Sequence, residues 1–376
     1  MQIEELRKEI DTVDKELSRL YLKRLSLSLN VGAYKKANGI DVENAKREEE
    51  ILFNLLKNAE SEEEKLSLMH LYGFIFDESK ALQSALIPSS SKQIDAFRSA
   101  IKNKKDTFPL SASVACQGVE GAYSESAAKK AFAVSSITYF KSFEAVFSAV
   151  QNGLCDYGIV PLENSTVGSV LPVYDALTTN KLYIVRSISL KVGHSLLTKD
   201  DSTPIKTVYS HPQALEQCKS FIKKLGATPV STENTALAAK MVKDSPSNDV
   251  AAIAGEDCAA LYSLKIRNRE IQDDIKNTTT FICISRNLEG YKGANKVSLL
   301  TSIPHKKGSL ASLLSRFYIE NLNLTKLVTR PLSGEDGYMF YFDFEGDAEK
   351  ESTLNLLSNL EKSSQSFAFL GEYSTV

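Results

Sequence analysis

Apolar residues near the start of the chain recur at alternating intervals of four and three positions, and this spacing constrains the fold more than any other feature. Seven positions carry the repeat: Leu6, Ile10, Val13, Leu17, Leu20, Leu27 and Val31. Such intervals place side chains on one face of an α-helix, because about 3.6 residues complete a turn. Residues 3–31 are therefore predicted to form one long amphipathic helix.

A cation, Arg24, interrupts this stripe. Lys35 follows it at a distance that places both cations on nearly the same face, about three turns apart, whereas Arg7 points about 100° away. A cation in an apolar stripe is costly unless it meets an anion, so one interpretation is a pocket for a carboxylate-bearing ligand inside a helical bundle. The alternative is an arginine at the end of a bundle that extends to solvent.

Two further helices are predicted, over residues 42–58 and 62–86. In the second of these, Ser79 and Gln83 lie one turn apart inside an otherwise apolar line of side chains. Surface polarity is the alternative explanation, but Arg24, Ser79 and Gln83 all interrupt apolar stripes instead of lying opposite them. The three helices therefore predict one polar constellation facing inward.

The segments LRKEIDTVDKELSRLYLKR, VGAYKK, KREEEIL and DESKALQ resemble the all-helical chorismate mutases. This resemblance implies that Arg7 and Arg24 bind the two substrate carboxylates, that Lys35 and Gln83 hydrogen-bond the ether oxygen, and that Glu48 orients the ring hydroxyl. It implies supporting roles for Asn44, Arg47 and Ser79, with Asn44 standing where the family often has aspartate. It also implies a homodimer with exchanged helices, in which Arg7 completes the site of the partner.

The mutase reaction is a pericyclic rearrangement, so it needs no nucleophile, metal or cofactor. It needs a flexible dianion held in its reactive conformer and donors directed at the oxygen that gains negative charge.

Residues 88–112 are rich in serine and lysine with little apolar periodicity, and they are predicted to be a linker with at most one short helix. Beyond it, strand and helix patterns alternate as far as residue 286. Strands are predicted at 114–116, 157–160, 182–190, 207–210, 250–254 and 281–285, and helices at 123–132, 143–150, 213–225 and 236–242. This order predicts an α/β domain with parallel sheets, in two lobes around a cleft.

The stretch VPLENSTVGSV, residues 160–170, resembles a buried strand that ends at Pro161 and presents polar side chains. In open α/β sheets, ligands bind at the carboxyl ends of strands, and Asn164, Ser165 and Thr166 could all bond a small polar anion. Alternatively, these three residues cap the following helix, as their residue types often do.

The motifs GVEGAYS, VPLENST, GHSLL, VYSHPQALEQC and NTTTF occur in the order found in prephenate dehydratases, which this segment resembles. The resemblance implies a cleft lined by Tyr123, Ser124, Asn164, Ser165, Thr166, Ser210 and Gln217. It implies that Thr279 assists departure of the ring hydroxyl, and a threonine is too weak an acid to be more than a positioned donor. His211 is a possible proton source, although a histidine before proline at a strand end is more often structural.

One position departs from the dehydratase pattern. The family has Thr-Arg-Phe where this chain has Thr279, Thr280 and Phe281. Loss of one charge-assisted hydrogen bond to a carboxylate is expected to weaken prephenate binding by about 1.5–3 kcal/mol. Arg267 or Arg269 could supply the cation instead, and a dehydratase domain that has lost its activity is the alternative.

The last segment shows strand, helix, two strands, helix and strand, a βαββαβ order that resembles the ferredoxin-like ACT regulatory domains. In the dehydratases these domains bind phenylalanine through two motifs, which correspond here to Gly308, Ser309 and Leu310 and to Thr329 and Arg330. The glutamate of the second motif is missing. This departure bears on whether phenylalanine binds more than on the predicted fold. A purely structural module is the alternative.

The whole chain of 376 residues has a formal charge of −2, so no global basic field favours nucleic acid or an anionic membrane. Its five cysteines are far apart without CxxC spacing, which predicts reduced thiols and neither disulfides nor zinc. No signal core or membrane-length apolar run is present, so a cytoplasmic protein is expected.

Taken together, the sequence predicts a bifunctional enzyme that converts chorismate to prephenate and prephenate to phenylpyruvate, with phenylalanine as its effector. The predicted divisions are a helical mutase at 1–87, a linker at 88–112, a dehydratase at 113–286 and the regulatory module at 287–376. The alternative from another class is a ligand-responsive binding protein, since two α/β lobes and such a module also occur in sensors.

Overall fold

The structure is a computed structural model that describes residues 3–87, 92–303, 305–332, 337–347 and 349–376, apart from the side chain of Lys92. The described residues form two compact units. The first lies within Met1–Arg98, Thr301–Leu327 and Pro331–Ala368, and the second within Ser99–Leu300, Val328–Arg330 and Phe369–Val376. Residues 88–91 of the predicted linker lie outside the described residues.

The amino-terminal helices are α1 (Ile3–Asn38), α2 (Ala45–Leu56), α3 (Glu62–Leu86) and α4 (Lys92–Lys102). The first three confirm the predicted helices, and α4 lies in the stretch predicted to be a linker. Helix α1 continues beyond residue 31 because no breaker occurs before Gly39, whose φ of +64° suits glycine. Helix α2 begins at Ala45 and not at residue 42, because Asn44 caps it.

The apolar stripe of α1 lies largely exposed within its own unit. Ile10, Val13 and Leu17 are 57%, 63% and 55% exposed, whereas the buried positions of the helix are Ser28 and Gly32. Helix α1 packs on α3 through these small residues, and a Cβ atom at Gly32 would lie 3.0 Å from the Cα of Gln83. The predicted amphipathic helix is confirmed, but the face that meets α3 is the small-residue face.

The α/β domain has two lobes, both in the second unit. The first contains β1 (Ser111–Gln117), α5 (Tyr123–Ala131), β2 (Val134–Phe140), α6 (Phe143–Gln151), β3 (Tyr157–Asn164), β4 (Gly168–Ser169), α7 (Leu171–Thr179) and β5 (Tyr183–Lys191). The second contains β6 (Ser195–Thr198), β7 (Thr207–Ser210), α8 (Pro212–Gln217), α9 (Lys219–Leu225), β8 (Thr228–Ser231), α10 (Thr235–Asp244), β9 (Val250–Ala254), α11 (Asp257–Tyr262) and β10 (Lys265–Asn268). The chain then returns to the first lobe as β11 (Thr278–Ser285).

The sheets of both lobes are mixed, so the prediction of parallel sheets is wrong. The first has the order β2-β1-β3-β11-β5 with β4 beside β3, and the second has the order β10-β6-β9-β7-β8. The returning strand β11 is antiparallel to β3 and β5, and β6 is antiparallel to β9 and β10. The chain leaves the first lobe after β5, forms the second lobe, and returns as β11. This strand enters the first sheet between β3 and β5 from the side of the second lobe, and it therefore runs antiparallel to both.

Two local predictions also differ from the structure. Strand β3 continues through Pro161 to Asn164, and the ladder with β11 skips Leu162, a bulge beside the proline, which has no N–H to donate. The helix predicted at 213–225 is two helices, because Cys218 between them has non-helical backbone angles. All five cysteines are unpaired and buried.

The carboxyl-terminal module contains β12 (Lys296–Ile303), α12 (Ser309–Ile319), β13 (Asn323–Pro331), β14 (Tyr338–Glu345), α13 (Glu351–Ser363) and β15 (Ser366–Tyr373). Its strand order, β13-β14-β12-β15, confirms the predicted ferredoxin-like βαββαβ topology. Residues 304, 333–336 and 348 of this predicted module lie outside the described residues.

The residues that follow β15 pair with β5, which is the edge strand of the first dehydratase lobe. The N–H of Ser187 donates to the carbonyl of Ser374 at 3.0 Å, and that of Ser189 donates to the carbonyl of Val376 at 2.8 Å. Gly371 permits the approach, since a Cβ atom there would lie 2.1 Å from the carbonyl oxygen of Ile184. No helix in the described ranges is both long and apolar enough to cross a bilayer.

Candidate active sites

The helical unit places Arg24 against the polar face of α3. Its Nη1 donates to Ser79 Oγ at 2.6 Å, and its guanidinium lies 5.7 Å from the centre of the Phe76 ring. Burial lowers the pKa of Arg24 from its ordinary value. Ser79 is buried, and within the part of the chain that the structure describes Arg24 pairs with no carboxylate. This geometry favours the predicted anion pocket over an arginine that extends freely to solvent.

Three other predicted mutase residues lie on the helices around Arg24. Gln83 is buried on α3, and its Oε1 has no hydrogen-bond partner among the residues that the structure describes. Lys35 donates from Nζ to the carbonyl oxygen of Val42 at 2.7 Å. Glu48 is paired with Lys80, with 3.3 Å between Oε1 and Nζ. The polar groups that the resemblance implies are therefore present on neighbouring helices, and their catalytic roles stay predictions.

The remaining predicted mutase residues are exposed. Asn44 caps α2 by accepting a hydrogen bond from the N–H of Arg47 at 3.1 Å, and the Arg47 side chain pairs with Glu50. Arg7 pairs with Glu4 on its own helix and has a 65% exposed side chain. The structure therefore does not bring Arg7 to the other site residues of the same chain.

In the α/β domain, Asn164 joins the two stretches predicted to face the substrate. Its Nδ2 donates to Asn277 Oδ1 at 2.7 Å and to Thr279 Oγ1 at 2.9 Å. Its Oδ1 accepts hydrogen bonds from the N–H groups of Thr166 and Val167. The residues after Asn164 therefore form a turn into β4.

Helix capping, the alternative for this stretch, is wrong. Helix α7 begins at Leu171, its N-cap residue is Val170, and no side chain caps it. Ser165 instead accepts from the N–H of Thr278 with its Oγ at 2.9 Å, and the carbonyl of Thr278 accepts from the Ser165 N–H. Ser165 thereby fixes the turn to the start of β11, and Thr166 lines a cavity of 230 Å³ beside Gln217 and Asn277.

Thr279 and Asn277 are both buried. Because Thr279 Oγ1 accepts the hydrogen bond from Asn164, its own proton remains available for donation. Asn277 Nδ2 has no hydrogen-bond partner within the described ranges. Asn277 begins the NTTTF motif, but the sequence alone attached no individual role to it.

A buried histidine that the sequence did not single out, His194 of GHSLL, holds Gln217. Its Nε2 lies 2.8 Å from Gln217 Oε1, and its main-chain N–H donates to Gln272 Oε1 at 2.8 Å. Desolvation lowers the pKa of His194. With its Oε1 engaged, Gln217 presents its amide Nε2, which has no hydrogen-bond partner in the described part of the chain. The pairing of His194 with Gln217 is non-local, so no sequence pattern indicated it.

Three other predicted cleft residues donate to main-chain carbonyls. The pairs are Tyr123 with Gly193, Ser124 with Gln117 and Ser210 with Ile253, each at 2.6 Å. Tyr123 borders a cavity of 250 Å³ together with Lys191 and Glu256, whereas Ser124 and Ser210 are buried. The two serines stiffen the cleft wall in this conformation, and their direct contact with substrate stays a prediction.

The candidate replacements for the missing arginine lie in different places. Arg267 donates to the carbonyl of Thr203 at 2.8 Å, whereas Arg269 pairs with Glu256, which borders the cavity of 250 Å³. Thr280 lies opposite Glu163 in the ladder between β11 and β3. Arg269 therefore lies next to a residue of that cavity, and a cation that replaces the missing arginine stays a prediction.

His211 caps α8, because its Nδ1 accepts from the N–H of Gln213 at 3.3 Å. Burial lowers its pKa. These observations support the structural interpretation of His211 over a role as proton source.

The residues predicted to bind the effector lie at two places. Gly308, with a φ of +83°, is the N-cap residue of α12, and Ser309 and Leu310 begin that helix. Thr329 is exposed on β13, and Arg330 forms two hydrogen bonds with Asp175 of α7, at 2.5 and 2.6 Å. Arg330 is therefore occupied by a carboxylate of the dehydratase domain.

Comparisons with known proteins agree with this arrangement. The chorismate mutase type II model matches residues 6–84, and the prephenate dehydratase model matches residues 114–289. The bifunctional chorismate mutase/prephenate dehydratase of Aquifex aeolicus (strain VF5) is 31% identical over 378 residues, which cover 99% of this chain and 98% of that protein.

Two further relatives match about two thirds of the chain. Arogenate dehydratase/prephenate dehydratase 2, chloroplastic, of Arabidopsis thaliana is 37% identical over 69% of this chain and 72% of its own length. The crystal structure of a prephenate dehydratase from Arthrobacter aurescens in complex with L-Phe is 26% identical, with a TM-score of 0.64 over 70% of this chain and 89% of that one. With a mutase domain and a dehydratase domain in one chain, and a relative matched from end to end, this protein belongs to the family of bifunctional chorismate mutase/prephenate dehydratases.

Proposed function

We propose that Arg24, Lys35, Glu48 and Gln83 bind and rearrange chorismate, and that Asn164, Gln217 and Thr279 act on the prephenate that results. The observation that supports the mutase assignment is Arg24, a partly buried cation whose partner is a neutral hydroxyl. Such a cation favours an incoming carboxylate, because desolvation strengthens the attraction. Lys35 and Gln83 would then donate to the ether oxygen as the C–O bond breaks.

For the dehydratase step, we propose that Thr279 donates a hydrogen bond to the departing ring hydroxyl. Asn164 donates to the threonine oxygen and so directs the remaining proton away from itself. Loss of CO2 supplies the electron pair that expels the hydroxide, and aromatisation of the ring favours the product. Asn277 and Gln217 have side-chain NH2 groups without partners among the described residues, and they are our candidates for holding the substrate. Tyr123, Ser124, Ser165, Thr166 and Ser210 would form the wall.

We propose that the active mutase is a homodimer. The exposed stripe of α1 is wide enough to be covered by a second copy, and Arg7 lies away from the other site residues of its own chain. In such a dimer Arg7 would complete the partner's site. Asn44 and Arg47, exposed at the start of α2, would border the same pocket.

We also propose that phenylalanine inhibits the dehydratase by binding the carboxyl-terminal module, as an ACT domain. The relative from Arthrobacter aurescens was crystallised with L-Phe, and in this chain Gly308 is the N-cap residue of the helix that Ser309 and Leu310 begin. Five unpaired cysteines support a cytoplasmic location. The divisions at 1–87, 113–286 and 287–376 remain our proposed domain boundaries.

One experiment tests the two activities separately. The full chain is incubated with chorismate or with prephenate, and loss of chorismate and formation of phenylpyruvate are followed with and without phenylalanine. Lys35→Ala should abolish mutase turnover and retain dehydratase turnover. Thr279→Val should lower dehydratase kcat by about 10²-fold or more and retain mutase turnover. Loss of both activities in either variant would contradict separate sites, and absence of turnover in the unaltered protein would favour a binding protein.

A further inference from the structure

A series of polar contacts joins the carboxyl-terminal module to the proposed mutase site, and all its members lie in the first unit. Ser312 on α12 donates from Oγ to Asp77 Oδ2 at 2.8 Å. Asp77 Oδ1 lies 3.4 Å from Lys80 Nζ, one turn further along α3. Lys80 Nζ lies 3.3 Å from Glu48 Oε1 on α2. Glu48, which is predicted to orient the ring hydroxyl, is thus linked through Lys80 and Asp77 to helix α12 of the carboxyl-terminal module.

These contacts are sheltered from solvent. The side chains of Asp77, Lys80 and Glu48 are 13%, 25% and 29% exposed. Solvent and salt screen such pairs less than they screen fully exposed ones. Lys80 is shared between Asp77 and Glu48, so removing its charge would take from Glu48 the cation with which it pairs. The geometry therefore constrains the Glu48 side chain, which would otherwise sample several rotamers.

The surroundings of Lys80 also connect the two modules. Asp77 and Lys80 line a cavity of 440 Å³, whose other walls include Val42, Arg316 and Glu320. The carbonyl of Val42 is the group that accepts from Lys35. Lys35 thus bonds to Val42 and Glu48 pairs with Lys80, and both of these partners border the cavity.

We propose that Lys80 is a positioning residue for Glu48, and that Asp77 and Ser312 anchor Lys80 to α12. The carboxyl-terminal module thereby supports the mutase site directly, in addition to any effect on the dehydratase. This inference rests on the proposed role of Glu48 in the mutase reaction. The sequence attached no role to Asp77, Lys80 or Ser312, because the contacts join residues that are far apart in the chain.

The expected kinetic signature follows from what a positioning residue does. Glu48 orients the reacting conformer, whereas the arginines supply affinity for the carboxylates. Freeing Glu48 should therefore lower mutase kcat by about tenfold and change KM by less than about twofold. A merely structural role for Lys80 would lower the amount of folded protein and reduce the dehydratase rate with it.

The test uses the full chain and measures mutase kcat and KM, with dehydratase turnover as the folding control. Lys80→Met should show the tenfold loss, and Lys80→Arg should recover activity to within about threefold of the unaltered protein. The matched control is Lys65→Met, which removes an exposed lysine that pairs with Glu62 on the same helix. Ser312→Ala should lower mutase kcat by about threefold, and its control, Ser315→Ala on the same helix, should leave it unchanged.

Glu48→Gln separates failure of this inference from failure of the proposed function. If Glu48→Gln retains full mutase activity, the proposed role of Glu48 is wrong. If Glu48→Gln loses activity and Lys80→Met behaves like Lys65→Met, the positioning role is overturned. Support requires that Lys80→Met causes little further loss in the Glu48→Gln background. If Lys80→Met does not fold, Asp77→Asn decides, since an unchanged mutase kcat in that variant would overturn the proposal.

Discussion

Replacing Gly32 with alanine tests whether the mutase site requires the close approach of α1 and α3. In a helix interior, alanine is favoured over glycine by about 1 kcal/mol. Here the added Cβ would lie 3.0 Å from the Cα of Gln83, 3.1 Å from its Cγ and 3.2 Å from Leu86 Cδ1. Carbon atoms pack at about 3.5–4.0 Å, so α3 must move by several tenths of an ångström, and a main-chain atom cannot rotate away.

Such overpacking costs about 1–3 kcal/mol, which cancels or exceeds the stabilisation that alanine gives over glycine in a helix. The thermal midpoint of Gly32→Ala should therefore stay the same or fall slightly. Mutase activity should respond more strongly, because Gln83 moves with α3 and small displacements of a donor are amplified in the rate. We expect kcat/KM for chorismate to fall about tenfold and prephenate turnover to be retained.

The matched control is Gly73→Ala in α3, where, apart from the adjacent residues and the helix's own backbone, no described atom lies within 4 Å of the added Cβ. Because Gly73 is exposed, its replacement should only add the stabilisation that alanine gives over glycine in a helix. The thermal midpoint should rise, and mutase activity should not change. Chorismate consumption and thermal unfolding of the three proteins are measured together. If Gly32→Ala gains as much stability as Gly73→Ala and keeps its mutase rate, the reasoning from close packing is refuted.

Three other perturbations have defined outcomes. Thr280→Arg should lower KM for prephenate, and an unchanged or higher KM would contradict the role given to the missing arginine. Burial raises the pKa of Glu320 to about 7, so the folded protein binds a proton that the unfolded chain releases, and stability falls as pH rises from about 4.5 to 7. Glu320→Gln should therefore raise the thermal midpoint at pH 8 by several degrees and leave it nearly unchanged at pH 4.5. Arg330→Gln and Asp175→Asn should each cost about 1 kcal/mol or less, since the pair is partly exposed, and the double variant should cost no more than either.

Much of the fold could be predicted because its signals are local. The periodicity of α1 and α3 and the type of each successive element in the last module are properties of short segments, and the structure confirms them. The insertion of β11 between β3 and β5 is a pairing between distant segments, and no local pattern encodes its direction. The break between α8 and α9 at Cys218 could likewise not be predicted, because the residues around it have ordinary helical composition.

The candidate sites divide in the same way. Resemblance identified Asn164 and Thr279, and the structure brings their side chains within hydrogen-bond distance. It did not indicate that His194 holds Gln217, or that Lys80 holds Glu48, because such support comes from residues that meet only after folding. Motifs thus indicated the residues expected to meet the substrate, and the contacts that orient them required the structure.

The pairing of residues 374–376 with β5 also bears on aggregation. An edge strand with free N–H and C=O groups is a template onto which another chain can add by main-chain hydrogen bonds. Here the protein covers that edge with its own backbone, and Gly371 allows the covering segment to come close enough. A bulky substitution at Gly371, or a fusion that draws Ser374 to Val376 away, would uncover an aggregation-prone edge.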